Sequence, residues 1–337
     1  ASNVTGLSDA LVEDNSVYIG NDPSSTTNSA SYNVAVGTTA LDAITTGDKI
    51  VAVGYNALGS NTTGSSNTAL GMYALNSNTT GNLNTAVGNE SLKSNTTGEN
   101  NTAMGWEALS SNTTGDKNTA VGDYALNANT TADNNVAIGY HSLVTATTSS
   151  QCTAVGTNTL KYNTGNYNDA FGFRAGETNT TGAENSFIGR YTGFSNTTGS
   201  GNAALGNAAL ESNTTGNFNT GIGYLALYDT TTGSYNTATG GQALRRASIA
   251  SYNTAVGYEA LADITNGTGN VGIGYLTGNG AQGASDNVWV GTGAGGSSVD
   301  PIGCLLYTSP SPLDQRGSGM AWCAWKKNRG GGGGGGG

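Results

Sequence analysis

Histidine is almost missing from this 337-residue chain: His141 is the only one. Any Ser-His-Asp or Cys-His relay would have to rest on it. It stands two places after Gly139, where comparable stretches carry Asn56, Tyr73, Glu90 and Glu107, and a variable, solvated position of that kind does not suit a catalytic base. Cysteine is equally scarce. Cys304 and Cys323 fall in a compositionally foreign tail, so Cys152 stands alone, which argues against a disulfide framework or a cysteine metal cluster. Charged residues make up only 10% of the chain, no apolar run has the length of a membrane-spanning helix, and no signal peptide is visible at Ala1. Carboxylates form no evident column at a fixed phase, which weighs against a polysaccharide-cleaving solenoid. We therefore identify no catalytic residue, no cofactor-binding residue and no metal ligand, and expect a non-enzyme without cofactors.

The net charge is -10. Residues 304–337 hold Arg316, Lys326, Lys327 and Arg329 against Asp314; without them 8 basic residues face 21 acidic ones, a net of -13. Such a surface repels nucleic acid and anionic membranes. Arg174, Arg190, Arg245 and Arg246 read as balancing surface acids.

What the chain has in abundance is glycine, 54 residues, and much of it is periodic. A glycine closes a short apolar run at Gly20, Gly37, Gly54, Gly71, Gly88 and onward to Gly274 and Gly291: 17 repeats, with 15 intervals of 17 residues and one of 16. In the short interval the usual N-T-T-G corner is N-T-G, at Asn163, Thr164 and Gly165. The unit reads N-T-A-V-G-x-x-A-L-x-x-N-T-T-G-x-x, as in residues 84–100. Seventeen residues with two turn clusters cannot hold a helix pair and suit two short strands per coil. This predicts an all-β, parallel β-solenoid of about 17 coils of 17 residues, a rod on the order of 75 Å long at a coil spacing of ~4.8 Å. Glycine fragments such as G-T-G-A-G-G at Gly291 precede no helix, so they do not form phosphate loops.

In the first strand the residue before the glycine is apolar in 16 of 17 repeats, and the one before that is Ala in 12. Both faces are thus apolar or small. One face can line the coil; the other needs a cover, most simply a neighbouring chain. The second strand carries Leu four residues after the glycine in 12 repeats, replaced by Gly176, Gly193, Gly278 and Gly295 in four others. Asn precedes the first strand in 14 repeats, with Ser16, Ile50 and Cys152 the exceptions. Stacking predicts a structural amide ladder through Asn67, Asn84, Asn101, Asn118 and Asn135. The N-T-T tripeptides at Asn61, Asn78 and Asn95 match a glycosylation acceptor pattern, but read as turns. The residue after the glycine is aromatic at Tyr55, Trp106, Tyr140, Phe173, Tyr224, Tyr258 and Tyr275: a broken stripe that could stack on glycans, or simply cover the coil surface.

Three regions follow: a lead-in over 1–14, the solenoid shaft over 15–299, and a non-native tail over 300–337. From Cys304 the tail reads CLLYTSPSPLDQ, then GMAWCAWKKN, then glycine from Gly330 to Gly337. Its first part resembles the conceptual translation of a transposase-type sequencing adapter. Both ends are expected to be cuts within a longer protein, and neither supplies an obvious cap.

The strand N-T-A-V-G, with variants N-V-A-I-G, N-S-F-I-G and N-T-G-I-G, resembles the head repeats of trimeric autotransporter adhesins (the YadA-like head), over about residues 15–295. The resemblance implies a left-handed β-roll and a homotrimer. The unit is longer here than in that family. The opening segment from Leu7 to Pro23, followed by N-V-A-V-G-T-T-A-L-D-A-I-T-T-G-D, also resembles the shafts of marine bacteriophage tail fibres. Both imply an extracellular adhesive fibre, on a virion tail or a bacterial cell surface. It would hold a glycan- or protein-binding tip outside this fragment, with no nucleic acid partner and no membrane insertion here. Ice binding through Thr ladders and carbohydrate binding are the alternatives; Val136, Asp169, Ser186 and Ala203 interrupt the strand Thr.

Overall fold

The computed structural model describes residues 10–13, 15–20, 29–295 and 305–308. Among these, all regular structure is strand. Strand β1 (Ala10–Glu13) runs antiparallel to β2 (Ser16–Ile19). From β2 to β18 (Asn287–Val290) seventeen strands stack in parallel, each paired with the next along the chain. Residues 305–308 form β19 (Leu305–Thr308), antiparallel to β18. The solenoid expected from the repeat is the architecture observed. Most of the 1–14 lead-in and of the 300–337 tail lies outside the described residues. The parts that are described pair backbone to backbone with the terminal coils.

Positions of the unit are numbered 1 to 17 from the Asn that precedes the strand, as in Asn84 to Asn100, and a stacked position is a column. Register advances by one unit per coil: Ala86 pairs with Ala103, and Ala103 with Ala120. The short interval is absorbed without slippage, since Ala154 pairs with Ala170 and Val155 with Phe171. The lost residue falls in the corner, so the strand columns do not feel it.

Each coil has one strand, not two. The Leu segment expected as a second strand is a chain of tight turns, and its twelve Leu residues have φ between 47° and 57°. The reason lies in where the backbone groups go. The N–H of Tyr73 at position 7 reaches back to the Tyr55 carbonyl (3.0 Å), while that of Leu75 at position 9 reaches forward to Ser91 (3.0 Å) and that of Ser77 to Lys93 (2.9 Å). Left-handed residues at positions 7 and 9 direct N–H groups to the coils before and after, so the ladder is completed without extended chain. Such a conformation costs a non-glycine residue on the order of 1 kcal/mol. Burying the Leu side chain contributes about 1.5–3 kcal/mol, and these leucines are fully buried. Burial wins.

The core is therefore a column of Ala at position 3 facing columns of Ala and Leu at positions 8 and 9. Where a ring replaces the strand Ala, the Leu column yields. Phe187 is buried between Gly176 and Gly193, and a Cβ on Gly193 would lie 2.5 Å from its ring. Trp289 sits likewise between Gly278 and Gly295. The four glycines in the Leu column are thus volume compensation, and all four keep positive φ.

Candidate functional site

The strand places positions 2 and 4 on its outer face and Ala inside. Column 4 remains open to solvent along the rod: Leu70, Met104, Ile138, Phe171, Ile188, Leu205, Ile222, Val256, Ile273 and Val290 are all exposed. Of the 34 residues that columns 2 and 4 contribute over β2 to β18, one, Asp169, is charged. Six of the eight basic residues before the tail (Lys93, Lys161, Arg174, Arg190, Arg245 and Arg246) lie instead on the turn face, at positions 6, 7, 10 or 11.

The Asn of column 1 do stack, but their chief partners are backbone groups. Asn84 donates its backbone N–H to Asn67 Oδ1 (2.9 Å) and its Nδ2 to the Gly98 carbonyl in the next corner (2.8 Å). Asn101, Asn118 and Asn135 repeat the pattern. Side chain to side chain contacts enter this column only later, as from Asn185 Nδ2 to Asn168 Oδ1 (3.1 Å). At the exceptions the backbone bond persists: Ile50 donates to Asn33 Oδ1 and Cys152 to Asn135 Oδ1, each at 3.0 Å.

A second ladder, of direct amide-to-amide bonds, runs through the corner Asn that the sequence presents as turn residues. Nδ2 of Asn78, Asn95, Asn112 and Asn129 each donates to Oδ1 one coil earlier, at 2.7–2.9 Å. Ala146 breaks it, leaving Asn129 Oδ1 buried without a partner; a second run from Asn163 to Asn213 ends at Thr230 in the same way. These Asn are fully buried, which removes them as glycan acceptors in the folded chain. Around them the Thr79 carbonyl receives the N–H of Thr62, Thr63 and Gly64 and the Thr62 hydroxyl, at 3.0–3.3 Å.

Position 16 holds a feature that the sequence reading does not pick out. Glu99, Asp116 and Asp133 share this column in consecutive coils. Their role is local: Asp116 accepts the Glu99 N–H and Asp133 the Asp116 N–H, both at 2.7 Å. No group of His, Cys, Asp and Glu among the described residues is arranged to hold a metal ion.

Column 6 carries the aromatic stripe. Tyr55, Trp106, Tyr140, Tyr224, Tyr258 and Tyr275 are all exposed. Only Tyr258 and Tyr275 lie in adjacent coils, where they stack on each other (5.8 Å, 17°). Three of the others meet column 7 neighbours: Tyr55 meets Tyr73 edge-on at 5.3 Å, Trp106 leans on Tyr124 at 5.0 Å, and Tyr140 lies flat on His141 at 4.0 Å. Burial and then Lys161 push the His141 imidazole below its ordinary pKa, so it is a neutral packing partner at pH 7. Arg174 is held charged by Glu177 and spans Phe173, Tyr191 and Phe194 at 4.8–6.0 Å. A further stack of Phe218, Tyr235 and Tyr252 in column 17 (5.3 and 5.0 Å) escaped the sequence reading, although its 17-residue spacing is visible.

A depression of about 220 Å³ lies over Gln242, Arg245, Arg246, Glu259, Ala262, Asp263 and Asn279. Its cations are spoken for within the fold: Arg245 donates to Gln242 (2.6 Å) and Arg246 to Asp263 (2.7 Å). No protein-family profile matches the chain, and comparison with curated proteins and with solved structures gave no match.

Proposed function

We propose that this chain is the rigid shaft of an extracellular attachment fibre, in which three copies associate through the outer face of the parallel sheet. The observation that carries the reading is that face: apolar in column 4 in every coil but that of Thr239, and with one charge in 34 residues. Depletion of charge is what distinguishes the core of a protein interface from ordinary surface. A strip about 75 Å long and about 10 Å wide amounts to roughly 750 Å², close to the ~800 Å² that each partner gives to a stable interface. The work of such a shaft is mechanical: it holds a tip, outside this chain, away from a virion or cell surface, and three copies add avidity there.

The absolute mass of the purified chain in solution tests this. A trimer that Met104→Glu and Ile138→Glu convert to monomer is the expected result. A stable monomer sinks the reading.

One observation favours a second reading. Thr68, Thr85, Thr102 and Thr119 occupy column 2 in four consecutive coils, on the outward side of the same face. A monomer with thermal hysteresis at micromolar concentration would make that face an ice-binding surface.

A further inference from the structure

Between Trp106 and Arg190 column 6 reads Trp106, Asp123, Tyr140, Thr157, Phe173, Arg190. A ring stands in every second coil, with a polar side chain in each coil between. Coils stacked at ~4.8 Å bring successive rings about 10 Å apart along the rod. Each ring is supported from column 7: Trp106 by Tyr124, Tyr140 by His141, and Phe173 by Tyr191 (5.5 Å, 82°). All three rings are exposed, at 47%, 49% and 42%, and Arg174 and Arg190 each lie 6.0 Å from the Phe173 ring. Asp123, between the first two, is oriented by accepting the backbone N–H of Trp106 at 2.9 Å and is itself exposed.

We propose that this row is a binding track for an extended, uncharged, β-linked polysaccharide. In such a chain alternate pyranose rings turn the same apolar face to one side, and the two-ring repeat is close to the two-coil spacing. The C–H faces of every second sugar would lie on Trp106, Tyr140 and Phe173, and the hydroxyl edges between them would meet Asp123 and Thr157. A row open at both ends suits a polymer better than a small ligand. Asp123, with Glu107 beside Trp106, disfavours an acidic sugar over most of the track. The other stripe residues do not extend it: Tyr258 and Tyr275 cover each other, Tyr55 stands three coils before Trp106, and Tyr224 three coils after Phe173. The proposal is independent of the fibre reading, because it requires neither a trimer nor a tip.

Titration calorimetry on the whole chain tests it, with soluble β-1,4-linked hexasaccharides of glucose, mannose and N-acetylglucosamine as probes. At least one should bind, and its disaccharide, which reaches one ring, should bind at least tenfold more weakly. Trp106→Ala and Tyr140→Ala should each weaken binding by about three- to tenfold. Tyr55→Ala should leave it unchanged, and all three variants should melt with the parent. The proposal is overturned if no β-linked hexasaccharide binds at millimolar concentration. Equal binding of an α-1,4-linked hexasaccharide, or indifference to Trp106→Ala, would overturn it as well.

Discussion

Replacing Asn112 by Ala and by Asp separates the polar ladder from the packing around it. Asn112 Nδ2 donates to Asn95 Oδ1 (2.8 Å) and to the Gly115 carbonyl (2.9 Å), and its Oδ1 accepts from Asn129 Nδ2 (2.8 Å). Asn112→Ala removes all three bonds. It leaves Asn95 Oδ1 buried without a donor, at a cost of about 1–3 kcal/mol for each group so orphaned; about 3–5 kcal/mol in total is expected. Asn112→Asp keeps the shape and the bond from Asn129. At neutral pH, however, it sets a carboxylate against two acceptor oxygens where two donors had been. Its cost should exceed that of Ala. Burial beside acceptors raises the folded-state pKa of such an Asp above its unfolded value of about 3.9. The penalty is then least below about pH 4, where both states are protonated, and grows as pH rises towards the folded pKa. Thermal unfolding of both variants against the parent at pH 3.5 and 7.5 reads the difference, with hydrogen exchange at Thr113 and Thr130 as the local probe. If Asp is no worse than Ala at pH 7.5, or its deficit does not change with pH, the ladder does not contribute in the way argued.

Phe187→Ala should cost about 3–5 kcal/mol through the void it leaves, and Gly193→Leu alone should destabilise by clashing with the ring. The double variant should recover much of the loss, because Leu with positive φ occupies that column in twelve other coils; a double-mutant cycle by denaturant titration measures the coupling. Completing the corner with Ala146→Asn and Ser149→Gly should satisfy Asn129 Oδ1 and stabilise the solenoid by about 1 kcal/mol, seen as a raised melting temperature. Cys152 is buried, and its thiol is pushed above the usual range by that burial. In a Cys304→Ser, Cys323→Ser background it should resist alkylation until the coils around it unfold, and fast labelling under native conditions would contradict its placement.

Much of the architecture could be read from residue spacing, because glycine, Ala and Asn recur in phase with the coil. The Leu segment could not be read correctly. A run such as Ala-Leu-x-x is apolar and short, like a strand, and its left-handed backbone comes from hydrogen bonds to coils that do not exist in a local window. The corner ladder was hidden for a related reason. Asn, Thr and Gly are turn formers in their own right, so Asn95 needed no further explanation until its neighbours in space were known. The four glycines at 176, 193, 278 and 295 stand out in the sequence as departures from the Leu column. Only the packing of Phe187 and Trp289 against them shows why they are there. The aromatic stripe was legible as a column, whereas its pairing with Tyr73, Tyr124 and His141 one column over was not.

The corner ladder gives the rod a direction. In every rung the later coil donates and the earlier coil accepts, so amide dipoles add along the axis with their acceptor ends towards the C-terminus. A coil just completed thus offers an oxygen to the coil that follows. Within a run, a coil added on the C-terminal side therefore meets an acceptor already in place for its donor. This polarity belongs to the two runs and not to the ends of the rod: Ile44 precedes the first run, Ala146 parts them, and Thr230, Ala247, Ile264 and Ala281 follow the second.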